Sequence, residues 1–308
     1  MEYKMKIGVI LPHLKIFGGI RRHIEIGNRL ALRGHEYTLY TPTGEKSNWI
    51  SCKPKVKKIE DGYEDELDFL MFSLESQYKE PLNFKKVKKG IVYYILHAGF
   101  LYKYPEECLA SYKMPYMLLA NSNWTARTIK KECGKAPEVV FGGINQAMFH
   151  PCKVKKEYEL LCYGDMKRKW KGTDTIEEAA KIAGLSLVKM VDIDPTQDKI
   201  AEEYSKAHIF VSGSWFEGWN NPGLEALTCG TPLVITNDGG SEDYVFNEQT
   251  ALVVQSKDPQ AMAAAITRLW NDKHLQEKLI QSGLTVSSIF TWENTAKNIE
   301  SIFKRYLA

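Results

Sequence analysis

The chain has 308 residues, long for a single core and comfortable for two domains of about 150 residues each. With 44% hydrophobic and 26% charged residues it has the balance of a globular protein, which excludes a disordered or fibrous chain. The formal net charge of +3 is too mild to argue for nucleic acid, and no apolar run approaches the roughly 18 residues of a membrane span. The six cysteines, Cys52, Cys108, Cys133, Cys152, Cys162 and Cys229, include no C-x-x-C pair. That pattern predicts reduced thiols in a cytoplasmic protein, with neither a disulfide framework nor a zinc site. Residues 1–10 carry no signal-peptide pattern.

Residues 5–11 form an apolar run that fits a buried first strand, followed by a loop ending in Gly18-Gly19. Residues 20–33 read as an amphipathic helix that buries Ile24, Gly27, Leu30 and Ala31 and stops at Gly34. A second strand covers 37–41. A glycine pair before a helix lets a ligand approach the backbone, and a structural turn is the plain alternative. The lysine-rich stretch 52–58 reads as a solvated edge. Strands are predicted at 67–72 and 91–96, with Lys85, Lys86, Lys88 and Lys89 between them. That cluster reads as solvated surface, or as attraction to an anionic membrane. His97 directly follows the strand 91–96, which places it at the rim of the sheet; a structural histidine is the other reading. Another strand covers 116–120, and residues 121–125 cap the helix after it. The stretch 138–141 leads into a connection that places the domain boundary near Phe149, with 152–158 as linker.

The second half opens with a strand at 159–163 and the loop Gly164-Asp165-Met166-Lys167-Arg168-Lys169-Trp170-Lys171-Gly172, ahead of a helix capped by Thr173. A glycine turn with clustered Lys and Arg before a helix is a candidate grip for a diphosphate, and a basic surface loop is the alternative. Asp192-Ile193-Asp194 follows a strand at 187–191. A D-x-D there could hold a divalent cation, but Pro195 and a helix at 196–206 favour a strand-end turn. A buried strand at 208–211 leads into a turn-rich loop, 212–219. A helix follows with Asn221 as N-cap and Pro222 at its first position, ending at Gly230 before a strand at 233–235. Glu217 and Glu225 bracket this loop, and the backbone N–H groups of residues 218–223 are predicted to face outward at a helix N-terminus. Strand, loop, helix and strand make one turn of a parallel α/β sheet, whose ligands bind at the carboxyl ends of strands. Residues 238–242 are predicted to start another helix at the same rim. Amphipathic helices are expected at 258–270, 273–287 and 291–307.

The segment E-G-W-N-N-P-G-L-E-A-L-T-C-G-T-P-L-V resembles the E-x7-E segment of retaining GT-B glycosyltransferases, the group 1 or family 4-like type. Gly18, Gly19, Arg22, His23, Leu30, Arg33, Gly34 and His35 fit the opening of that family. Residues 121–125 resemble its N-S-x-W-T segment, and 142–151 its interdomain connection. The resemblance implies two Rossmann-like, doubly wound α/β domains facing a central cleft: residues 1–149 on the acceptor side, 150–290 on the donor side, and a tail helix, 291–308, crossing back to the first domain. It implies metal-independent, retaining transfer of a hexosyl group from a nucleotide-sugar, UDP- or GDP-linked, with no cofactor. The acceptor would be a glycan, a lipid-linked molecule or a small molecule, with peripheral contact at the inner membrane face through the first domain. By the same resemblance Glu217 contacts donor-sugar hydroxyls, Glu225 holds the ribose, and His97 lies near the reacting sugar. Lys171 would bind the diphosphate, and Gly18, Gly19, Gly164, Gly218, Trp219, Asn220 and Asn221 would line the donor. Three positions depart from the pattern, one of them Ser241, where the family usually has proline. Asn220 replaces a glycine, which predicts crowding of a sugar packed there. Asp165 replaces an arginine, whose role would pass to Arg168 or Lys167. Other activities compatible with these motifs are nucleotide-sugar epimerisation or hydrolysis, and a degenerate subunit that only binds nucleotide-sugar.

Overall fold

The computed structural model of the protein describes residues 3–102 and 104–307. They divide into two units: the chain up to Gly143 together with the helix from Trp292, and Ile144–Thr291. Among the described residues the first unit is a parallel sheet with strand order β3-β2-β1-β4-β5-β6-β7. Its elements are β1 (Lys6–Ile10), α1 (Gly18–Leu32), β2 (Glu36–Thr41), β3 (Lys55–Lys58), β4 (Leu67–Phe72), β5 (Val87–Ile95), α2 (Pro105–Lys113), β6 (Met117–Ala120), α3 (Asn123–Cys133) and β7 (Glu138–Val139). Every residue of β4 is buried, as expected where helices cover both faces of a parallel sheet. The lysine-rich β3 forms an edge, where charged side chains discourage further strand pairing. Gly27 lets α1 lie tight on the sheet, since a Cβ there would come within 2.5 Å of the Tyr37 ring.

The second unit has strand order β12-β11-β10-β8-β9, also parallel. Its elements are β8 (Tyr158–Cys162), α4 (Thr173–Ala183), β9 (Leu187–Lys189), α5 (Met190–Ile193), α6 (Ile200–Lys206), β10 (Ala207–Ser212), α7 (Asn221–Thr228), β11 (Leu233–Thr236), β12 (Leu252–Val254), α8 (Pro259–Asn271) and α9 (Lys273–Ser287). The last helix, α10 (Trp292–Leu307), packs in the first unit, with Phe303 stacked on Phe69 at 4.1 Å and Glu300 accepting from Arg33 Nε at 2.5 Å. Winding reverses between β1 and β4 in the first sheet and between β8 and β10 in the second. Open α/β sheets place ligands at such reversals, because the loops leaving the two strands part in opposite directions and open a crevice.

Several boundaries differ from the sequence-based expectation. The units divide at Gly143/Ile144, not near Phe149, because Ile144 N already donates to Phe290 O at 2.8 Å and Phe149 packs on Tyr204. The end residues Met1, Glu2 and Ala308 of the expected ranges lie outside the described residues. The helix expected at 196–206 starts only at Ile200, because Asp194 sits at φ 43° before Pro195 and residues 197–199 form a turn. Residues 238–242 make turns in place of a helix, with Gly239 bridged to Glu217 and Asp238 Oδ1 accepting from Ser241 N at 2.9 Å. Asp192 lies in the short α5, and Asp194 follows it in the left-handed region. Among the described residues no three His, Cys, Asp or Glu side chains converge as a metal site.

Three of the four lysines of the 85–89 cluster meet acids: Lys85 and Lys86 pair with Glu64, and Lys88 with Glu66. Lys89 donates to Leu307 O at 3.1 Å. This pairing weakens the positive field expected for an anionic surface. No helix among the described residues is long and apolar enough to cross a membrane. All six cysteines are free thiols.

Candidate donor site of the second unit

The reversal between β8 and β10 brings together two glycine-containing loops. Gly172 sits at φ 61°, and a Cβ there would come within 2.1 Å of Gly213 O, so the loop after β8 lies backbone to backbone on the loop after β10. Trp215 N donates to Trp170 O at 2.7 Å, and Trp170 stacks on Phe216. This clamp delivers Lys171 to Glu217: Nζ lies 2.5 Å from Oε1, with the two side chains only 16% and 9% exposed. Ser214 Oγ donates to the same carboxylate oxygen at 2.7 Å. Lys171, Ser214 and Glu217 line a small cavity of about 20 Å³ with Gly164, Gly213 and Asn220. A cation, a carboxylate and a hydroxyl thus converge on one crevice at the carboxyl edge of the sheet, where an anionic, hydroxyl-rich ligand finds both charge and acceptors.

Asp165 does not oppose this cation; it builds the loop. Its Oδ1 accepts from the backbone N–H groups of Lys167 and Arg168, and its Oδ2 from Arg168 Nε at 2.5 Å. Burial pushes the Asp165 carboxyl up, but the Arg168 guanidinium and the two N–H donors outweigh it and hold the group below its usual range. Arg168 is therefore engaged by its neighbour, while Lys171 is the cation delivered to Glu217.

The loop 217–220 turns its side chains inward. Trp219 is 4% exposed and packs against Tyr244 and Phe290, each at 5.2 Å, so only its backbone can face a ligand. Asn220, not Asn221, caps α7: its Oδ1 accepts from Gly223 N at 3.1 Å, while its Nδ2 donates to Ser212 Oγ and Asp238 Oδ2. The Asn220 side chain is thereby held by partners within the protein. Pro222 has no N–H and that of Gly223 is used by the cap, which shortens the expected row of donors to residues before Pro222. At α4 the cap position is Gly172, and Thr173 is the first helical residue, its hydroxyl donating to Asp165 O at 3.2 Å. Gly164, at φ 84°, opens the loop, and Gly218 lies against Gly240, where a Cβ would come within 2.6 Å of the Gly218 carbonyl carbon. Glu225 lies on α7 and accepts from Tyr204 OH at 2.7 Å.

In the first unit, α1 begins at Gly18, and a Cβ on Gly19 would come within 3.1 Å of the Leu96 methyl. The glycine pair thus sets the start of α1 beside the end of β5, next to His97, whose Nδ1 accepts from Gly99 N at 3.1 Å. Arg22 and His23 are buried and structural. Arg22 donates to Tyr94 OH at 2.6 Å and lies over the Trp292 ring, and His23 Nε2 meets Ser73 Oγ at 2.7 Å. Burial, then Arg22, lowers the His23 pKa to about 3, so the ring is neutral.

Sequence reasoning missed Ser214, Gly213, Tyr204 and the side-chain role of Asp238. The S-G-S run after a buried strand was the available signal for the first two. Nothing local marks Tyr204 or Asp238, whose partners come from α7 and from the loop after β10.

Residues 145–285 match the family model described as glycosyl transferases group 1. Among curated proteins, the chain is 34% identical over 113 residues to a putative glycosyltransferase YtcC of Bacillus subtilis, covering 36% of this chain and 28% of that protein. It is 28% identical over 146 residues to a D-inositol 3-phosphate glycosyltransferase of Corynebacterium urealyticum, covering 47% and 34%. The chain thus matches about a third of the length of these relatives. Among solved structures, a sucrose-phosphate synthase of Thermosynechococcus elongatus superposes with a TM-score of 0.83 at 16% identity, covering 99% of both chains. Anabaena HepE, solved with UDP-glucose, gives 0.76 at 12% identity, covering 98% and 100%. These likenesses show the fold: two parallel-sheet, Rossmann-like α/β domains of GT-B type. The match to the glycosyl transferases group 1 model falls within the second unit, over residues 145–285, and it is this unit that resembles the family.

Proposed function

We propose that the protein transfers a hexosyl group from a nucleotide-sugar to an acceptor hydroxyl, retaining anomeric configuration and requiring no metal ion. The observation that carries this reading is the Lys171–Glu217 pair, with Ser214, at the winding reversal of a group 1 sheet. A leaving diphosphate gains negative charge in the transition state, and a positioned ammonium stabilises it there more than in the ground state. On donor binding Lys171 turns from Glu217 to the phosphates, which releases the carboxylate to accept hydroxyls of the sugar. Glu225, oriented by Tyr204, accepts the ribose hydroxyls in the same binding event. A phosphate oxygen of the departing diphosphate takes the acceptor proton.

The test is a panel of UDP-, GDP- and ADP-sugars, read first by thermal stabilisation, since a specific ligand raises stability by mass action. UDP-glucose, bound in the similarly folded HepE, is the first probe. Transfer is then assayed with the binding donor, and the product anomer by NMR. Lys171→Ala lowers kcat on the order of 10²-fold with a milder change in KM. A chain that binds a donor tightly yet neither transfers nor hydrolyses it is a nucleotide-sugar-binding subunit, and the transfer reading fails.

A further inference from the structure

Asn220 and Asp238 are 2% and 1% exposed and form a closed pair between two loops of the second unit. Asn220 Nδ2 lies 2.5 Å from Asp238 Oδ2. The amide is oriented by its other partners: Oδ1 must face Gly223 N–H, which turns Nδ2 toward Ser212 and Asp238. On its far side Asp238 accepts from Ser241 N and Ser241 Oγ at 2.9 and 2.7 Å. Its backbone carbonyl accepts directly from Glu217 N at 2.8 Å. Tyr244 OH closes the network on Asn220 O at 2.5 Å.

We propose that Asp238 is a positioning residue for donor binding: with Asn220 it locks the loop that carries Glu217 in the geometry at which Glu217 meets Lys171 and the sugar. This rests on the nucleotide-sugar reading above. The argument is one of donors and acceptors. Every side-chain partner of Asp238 donates to it, and Asn220 has no second amide orientation that keeps the α7 cap. Asp238→Asn therefore sets its new NH2 against a donor in either amide orientation, Asn220 Nδ2 or Ser241 N–H, and Asn220→Asp places a second carboxyl against Asp238, so that the two repel unless one keeps a proton. The reciprocal double variant, Asn220→Asp with Asp238→Asn, satisfies the pair again. Asp caps helices as Asn does, and the amide introduced at position 238 donates where the carboxylate formerly accepted. A buried pair left half-satisfied is costly, whereas a fully satisfied one is not. The charged and titratable groups around the pair are Glu217 with Lys171 across the loop, Tyr244, and Glu225 and Asp243 beyond it. Burial, then Glu217, pushes the Asp238 carboxyl up to about 7, which puts the lock within reach of a pH profile.

The four chains, wild type, both single variants and the reciprocal double, are compared by two measurements. The first is hydrogen–deuterium exchange of the peptide spanning residues 213–220 without ligand; the second is UDP-glucose affinity by calorimetry. Each single variant is expected to speed exchange at the Glu217 amide at least about tenfold and to weaken UDP-glucose at least about tenfold. The reciprocal double returns both to within about threefold of wild type. Single variants that melt lower but keep Glu217 protection and donor affinity overturn the proposal, because the pair is then only structural. A double as impaired as the singles overturns it too. Where a single variant does not fold, the double decides: recovery of both readouts supports the lock, and failure to fold or to recover refutes it. If wild type binds no nucleotide-sugar, the reading of function fails, while the exchange measurement still decides the lock.

Discussion

Replacing Lys171 by Met removes the ammonium but keeps most of the volume, and it tests whether the Lys171–Glu217 pair is as buried in solution as its geometry indicates. Glu217 would be left 9% exposed with Ser214 Oγ on the same oxygen that Lys171 had held. Removing one partner of a buried ion pair costs about 3–5 kcal/mol, because the other charge stays buried without compensation. The 16% exposure of the Lys171 side chain admits some water and sets the expectation at the lower end, about 3 kcal/mol. For a domain of this size that corresponds to about 6–12 °C in Tm. The companion Lys171→Met/Glu217→Gln leaves no charge behind and stays within about 1 kcal/mol of wild type, as replaced pairs generally do. Scanning calorimetry of the ligand-free chains measures both. A single variant within about 1 kcal/mol of wild type, or a double that falls as far as the single, refutes the reasoning. The pair would then be an open surface contact, and donor binding would not need to break it.

The raised Asp238 pKa fixes a sign: a carboxyl held above its unfolded value contributes full stability below about pH 4 and loses it as pH rises through about 7. Asp238→Asn should therefore destabilise less at pH 8 than at pH 5, by about 2–3 kcal/mol, and a pH-independent difference in urea midpoints would contradict the shift. Glu225→Ala should weaken free nucleoside diphosphate at least about tenfold, more than Glu217→Ala does, when both are titrated calorimetrically; the reverse order exchanges their roles. Turnover should survive EDTA, and loss restored by magnesium or manganese would bring the D-x-D at Asp192 and Asp194 back into consideration. Gly172→Ala should cost at least about 3 kcal/mol in thermal unfolding, from left-handed strain plus a clash with the backbone of Gly213, which cannot rotate away as a side chain can. A variant near wild type would mean that the two loops do not touch.

The apolar strands β1, β2, β4, β5, β6, β8, β10 and β11 were legible because a parallel sheet buried on both faces must be written as short apolar runs bounded by turn residues, whereas the lysine-rich β3 read only as a solvated edge. The run Leu67–Phe72 is such a strand and carries its own ends. Helix Lys273–Ser287 matches its predicted bounds because Asp272 caps it locally by accepting from Leu275 N. Lys171 and Glu217 were legible as residues through motif spacing. Their pairing was not, since 46 positions separate them and their loops are joined only in the fold, by Gly172 packed on Gly213, Trp215 N donating to Trp170 O and Trp170 stacked on Phe216.

Sequence by itself determined most of the strands and helices, their parallel α/β character, and the two loops that carry the candidate site, because periodicity, caps and glycine positions act over a few residues; α2 and β12 it left unread. Tertiary structure alone decided what those loops present. It turned Trp219 and Asn220 inward and tied Asp238 to the Glu217 loop. The physical reason is that a polar side chain chooses its direction by the partners available when it is buried. Those partners, on strands adjacent in the sheet but distant in the chain, exist only once the sheet has formed.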